Sequence, residues 1–105
     1  MLFRSAIASS ARPKEIMEIL NAALSNDFIG AKAKLLDTML THGLSGADII
    51  KQIQREIMNL PLGVREKMQL IEKCGEIEFR ISEGADEFIQ LEALLSQFCI
   101  AGSTE

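Results

Sequence analysis

Residues 75–95 read G-E-I-E-F-R-I-S-E-G-A-D-E-F-I-Q-L-E-A-L-L. The stretch has the pattern of one helix ending, a tight break at Gly84, and a second helix that is apolar on more than one side. A helix with a single apolar stripe needs one neighbour, and a helix that is apolar most of the way round needs several. A domain of this size cannot easily supply them all, so the pattern points outward, toward other copies or other subunits.

Working back from this stretch, the same 3.6-residue periodicity recurs. Pro13 suits the first position of a helix, where its missing N–H is not needed. Ser9 or Ser10 is expected to assist the start, and Ile16, Ile19, Leu20, Ala23 and Leu24 line one face to about Asn26. Asp27 can accept from the free amides of a second helix. That helix carries Phe28, Ala31, Leu35, Leu36, Met39 and Leu40 and stops at Gly43. Ser45 with Asp48 resembles a capping box opening a third helix, with Ile49, Ile50, Ile53, Ile57 and Met58 inward. Pro61 and Gly63 break the chain.

The fourth helix is expected over about Val64 to Ser82. Val64, Met68, Ile71, Cys74 and Ile81 lie on its inward face, with Ile77 and Phe79 beside them. The fifth is expected over about Ala85 to Cys99. Phe88, Leu91, Leu95 and Phe98 form one face, which Ala85, Ile89 and Ile100 extend and Leu94 and Cys99 broaden. Nothing alternates as a strand would. The expected fold is all-α, a compact bundle of about five helices. Residues 1–12 are expected to be a linker, 13–100 the helical domain, and 101–105 a flexible tail.

Composition bounds the function. The chain has 105 residues, 48% hydrophobic and 25% charged, which suits one soluble domain. Its formal net charge is −4, which does not advertise nucleic-acid binding. The acidity is concentrated in residues 53–105, with five basic side chains against ten acidic ones. No apolar run approaches the ~20 residues of a membrane span. The N-terminal apolar stretch is broken by Arg4 and Ser5, unlike a signal peptide. Cys74 and Cys99 stand apart in apolar surroundings and read as buried reduced thiols.

Catalytic signatures are missing from the sequence. There is no phosphate-cradling glycine loop and no zinc spacing of Cys and His. His42, the single histidine, ends the second helix, where it suits the negative end of the helix dipole. The carboxylates Glu76, Glu78, Glu83, Asp86, Glu87 and Glu92 read as a solvated face. Glu76 and Arg80 are spaced to pair across one helical turn. Residues 35–57 allow a competing reading, a helix-turn-helix with Ser45–Arg55 as recognition helix and Lys51, Gln52, Gln54 and Arg55 as readers. Asp48 in its first turn would repel phosphates, which favours an ordinary helical hairpin within a bundle.

At residues 75–95 the chain resembles the C-terminal domain of the replication factor C small subunit, the clamp loader, in its archaeal form. The segments A-R-P-K-E-I-M-E-I-L (11–20), F-I-G-A-K-A-K-L-L-D-T-M-L-T-H-G-L-S-G-A-D-I-I (28–50) and E-I-M-N-L-P (56–61) resemble earlier parts of that domain, in order. The resemblance implies a collar piece of a five-subunit AAA+ ATPase that loads a sliding clamp onto primer–template DNA. It further implies partners among other small subunits and the large subunit, with clamp and DNA reached only through the whole complex. ATP and magnesium would belong to the ATPase domain, leaving this piece with no cofactor and no catalytic or metal site, in a cytoplasmic protein. The structural and interface residues implied are Gly75, Glu76, Arg80, Gly84, Ala85, Glu87, Phe88, Gln90, Leu91 and Leu94. Gly75 would let another helix approach, Gly84 would permit the turn, and Glu76, Arg80 and Glu87 would set the angle between the last two helices. Gln90 would satisfy a loop carbonyl or cross an interface.

Overall fold

Local signals in the sequence place five helices, and the computed structural model, which describes residues 10–103, has them in this order: α1 (Pro13–Leu24), α2 (Phe28–His42), α3 (Gly46–Glu56), α4 (Val64–Ser82) and α5 (Glu87–Ser103). A short 3-10 turn, Ile57–Asn59, follows α3. Residues 1–9 and 104–105, most of the expected linker and the end of the expected tail, lie outside the described residues.

The caps form as their chemistry requires. The Asp27 carboxylate accepts from the Gly30 amide at 2.9 Å and opens α2. Gly43 closes α2 in the left-handed conformation, φ +64°. Ser45 and Asp48 bond reciprocally, the Asp48 amide to Ser45 Oγ at 3.2 Å and the Ser45 amide to Asp48 Oδ2 at 3.0 Å. Each bond satisfies a first-turn N–H that the helix itself leaves open.

The start of α1 departs from expectation. Ser10 Oγ accepts from Gln52 Nε2 rather than capping α1. Ala11, expected in a linker, is buried, and Gln52 brackets its backbone, accepting from its N–H at 3.1 Å and donating to its C=O at 3.2 Å. The chain is therefore docked on α3 before α1 begins.

α5 is the central element and packs against α1, α2, α3 and α4. Leu91, Leu94, Leu95 and Phe98 are fully buried there and meet Ile16, Ile19 and Leu20 of α1 and Leu70, Cys74 and Ile77 of α4 in one core. Each such aliphatic or aromatic side chain contributes about 1.5–3 kcal/mol by leaving water. α5 also runs on to Ser103, past the expected boundary. Ala101 is buried, and a Cβ on Gly102 would collide with the Leu24 backbone, so the residues expected as a loose tail are partly a docking surface against the end of α1.

Four inward assignments do not hold. Leu40, Met58, Val64 and Met68 are exposed, and Phe79 is 62% exposed, while Leu70, absent from the expected face, is buried. α4 carries two apolar stripes. Leu70, Cys74, Ile77 and Ile81 turn toward the core, while Val64, Met68, Gly75 and Phe79 line up along the outer side.

Candidate assembly surfaces

On α2, Ile29, Ala33, Leu36 and Leu40 recur at three- and four-residue spacing and so share one face. Ile29 is 81% exposed and Leu40 85% exposed, while Leu36 is half-buried. Between the C-terminal half of α2 and the start of α5 lies an apolar groove of about 430 Å³, walled by Leu36, Met39, Leu40, Leu44 and Phe88. A second recess of about 150 Å³ continues it past Leu35 and Leu91. The ion pair Lys32 Nζ–Glu92 Oε2, 2.8 Å, stands on its rim.

The outer stripe of α4 forms a second surface. Val64, Met68 and Phe79 are exposed, and a Cβ built on Gly75 would meet nothing within 4 Å. A shallow groove of about 290 Å³ flanks it on the α3 side, bounded by Ile50, Gln54, Ile71 and Gly75. α2 packs on α1 and α5, and α4 packs on α3 and α5, so the two surfaces sit on different edges of the bundle.

The residues singled out from the sequence divide between turn, core and surface. Gly84 has φ +103°, a conformation that L side chains adopt with strain, and it makes the turn out of α4. The Ala85 amide donates to the Arg80 carbonyl at 2.9 Å and closes that turn, with Ala85 half-buried. Asp86 then caps α5 by accepting from the Ile89 amide at 2.9 Å. Leu91 and Leu94 are core, and Phe88 is about half exposed in the groove wall. Among the described residues nothing lies within 4 Å of a Cβ placed on Gly75, so the expected close helix approach is not made within the domain.

The expected link of Glu76, Arg80 and Glu87 is not made. Glu76 pairs with Lys73 at 3.0 Å and lies 3.7 Å from Arg80, all three partly exposed along α4. The Lys73 hydrogen bond first, then the two cations, hold the Glu76 carboxyl below the usual range. Glu87 reaches elsewhere, its Oε1 accepting from the Gly46 amide at 2.6 Å, which ties the start of α5 to the start of α3. Gln90 is half-buried, and its Oε1 has no hydrogen-bond partner among the described residues.

That Glu87 contact also bears on the helix-turn-helix reading. A recognition helix must offer its first residues to a groove. Here Gly46 is buried, and the Glu87 carboxylate sits on the amide that would face a phosphate. α3 packs against α4 and α1 rather than folding back along α2, and Gln52 is engaged with Ala11. Neither the helix-turn-helix nor the simple hairpin describes this segment.

His42 Nε2 lies 2.9 Å from Glu15 Oε1, and the same oxygen accepts from the Arg12 amide at 2.8 Å. The Arg12 amide first, then His42, hold the Glu15 carboxyl below its usual range. Both cysteines are buried and free. Burial pushes the Cys74 thiol up to about 12, and burial together with Asp27 raises Cys99. A thiol so raised is a weak nucleophile.

Residues 11–97 match the Replication factor C C-terminal domain, and the chain belongs to that family. It is similar to the replication factor C small subunit of Thermococcus kodakarensis, 48% identical over 96 residues, covering 91% of this chain and 11% of that protein. The small subunit of Saccharolobus solfataricus is 47% identical over 95 residues, covering 89% and 29%. That of Methanococcus vannielii is 48% identical over 94 residues, covering 90% and 30%. The chain thus spans less than a third of the length of these relatives.

Proposed function

We propose that this chain is the C-terminal oligomerisation domain of a clamp-loader small subunit. It would pack beside the same domain of neighbouring small subunits and of a large subunit to form a collar. In this reading the ATP and magnesium chemistry belongs to the ATPase domain of such subunits. The sliding clamp and primer–template DNA are then engaged by the complex, not by this bundle. The observation that carries the reading is the pair of exposed apolar stripes on α2 and α4, in a chain of a family whose relatives are named as subunits. A monomeric surface rarely leaves such stripes uncovered, and large exposed apolar patches mark interaction sites.

The test is capture by a full-length relative. The Saccharolobus solfataricus small subunit, immobilised, should retain the 105-residue chain, and Leu40→Glu or Phe79→Glu should weaken retention at least tenfold. Equal retention of the wild type and both variants, or no retention of any, would contradict the proposal.

A further inference from the structure

The chain enters the bundle through an elbow at residues 10–12, where every backbone polar group of Ala11 and Arg12 is engaged. The side-chain amide of Gln52, on α3, pairs with Ala11 as a neighbouring strand would. It accepts from the Ala11 N–H at 3.1 Å and donates to the Ala11 C=O at 3.2 Å. It also donates to Ser10 Oγ at 3.3 Å. The Arg12 amide donates to Glu15 Oε1 at 2.8 Å, and the Arg12 carbonyl accepts from the Glu15 and Ile16 amides at 2.9 and 3.2 Å. Pro13 adds a covalent restriction, since the residue before a proline is kept out of the helical region. Arg12 is accordingly extended, with φ −79° and ψ 147°. Starting α1 does not require Gln52. Pro13, Arg12 and Glu15 supply that start, and Ala11 lies outside the helix cap. The Gln52 bonds therefore serve the incoming chain and not the helix.

We infer, building on the assembly reading, that Gln52 is a positioning residue for the whole subunit. It fixes the direction in which the chain reaches the bundle. The matched family is a C-terminal domain, so in that reading the ATPase domain lies on the N-terminal side of Ser10. Domains joined in one chain move freely against each other by default. Here the last link is a stiff elbow, and a change of angle between the ATPase domain and the collar cannot be taken up by residues 10–12. The elbow bears on the body of the bundle, because α3 packs against α1 and α4 and Ala11 is itself buried. The chemistry calls for a side-chain amide. Glu in its place would lack both donations, and Lys would lack the acceptor. Met fills similar space and offers neither an N–H nor a carbonyl oxygen.

Backbone order measured by nitrogen-15 relaxation on the 105-residue chain decides the point. Ala11 and Arg12 should be as rigid as the helices, with order parameters of about 0.85, where a flexible linker falls below about 0.6. Gln52→Met should bring Ala11 below about 0.6 and speed exchange of its amide by about tenfold or more, while Ile16 and Ile53 keep their wild-type values. Gln52→Glu keeps the acceptor for the Ala11 N–H and should fall between the two. A flexible Ala11 in the wild type would overturn the inference. So would a rigid Ala11 in Gln52→Met, since Pro13 and packing would then hold the elbow without Gln52. Retention by the immobilised full-length relative is a separate readout, because Gln52 bonds to neither apolar stripe. Gln52→Met should be retained as well as the wild type, and selective loss of its retention would overturn the positioning role. Loss of retention by the wild type as well would refute the assembly reading, and with it the elbow's place in a collar, while leaving the order parameters unchanged.

Discussion

Replacing Glu87 by alanine should destabilise the fold more than any other single carboxylate change, although nothing near it in sequence reveals its partner. Glu87 Oε1 accepts from the Gly46 amide at 2.6 Å, and Gly46 is buried. Ser45 Oγ is already engaged with the Asp48 amide, so the Gly46 N–H has no second acceptor at hand. A hydrogen bond to an ionised group contributes about 1.5–3 kcal/mol, and a buried donor left unpaired costs about 1–3 kcal/mol. Because the Glu87 side chain is half exposed, the expected loss lies toward the lower end, about 1–2 kcal/mol. At about 4–8 °C per kcal/mol for a domain of this size, the melting temperature should fall by about 4–16 °C.

The assay is thermal unfolding followed by circular dichroism at a concentration low enough to hold the chain monomeric. Glu87→Gln keeps an acceptor without the charge and should recover roughly half of the loss. Glu76→Ala is the control, since its ion pairs lie on the exposed face of α4 and should shift the melting temperature by less than about 2 °C. Equal melting temperatures for Glu87→Ala and Glu76→Ala would refute the reasoning.

Three further expectations follow from particular contacts. Gly102→Ala drives a methyl into the Leu24 backbone, which cannot swing aside as a side chain could, and should cost about 1–3 kcal/mol; an unchanged melting temperature would mean that the end of α5 is not docked. The lowered Glu15 carboxyl contributes stability that is present above the ordinary value of 4.5 and lost as pH falls through its folded value, so Glu15→Gln should flatten the acid side of the stability profile; identical acid profiles would count against the Arg12–Glu15–His42 contact. Cys74 should react with an aromatic disulfide reagent at pH 8 only as fast as the chain opens, and rapid labelling of the folded protein would contradict its burial.

Much of the fold was legible because the signals are local. Pro13, Asp27, Gly43, the Ser45–Asp48 box and Gly84 each mark a boundary by chemistry acting within a few residues, and the structure has a helix end or turn at each. The side of α4 that faces the core was not legible in the same way. Its two apolar stripes have the same period, and periodicity alone cannot say which is covered, so it points to exposed Val64 and Met68 as readily as to buried Leu70. Glu87 was expected to act on α4, its neighbour in sequence, yet its partner Gly46 lies 41 residues away. The small residues Ala101 and Gly102 look like a fraying end, but Ala101 is buried and Gly102 is small because it packs against the Leu24 backbone. Burial within one chain leaves the outer stripes unexplained, and those stripes are the part of the molecule that the assembly proposal accounts for.

The most direct test of that account is light scattering after size exclusion, run on the wild-type chain across a concentration series from micromolar to millimolar. The account predicts a mass that rises with concentration to several times the 11.6 kDa of one chain. A mass that stays at 11.6 kDa throughout would contradict it.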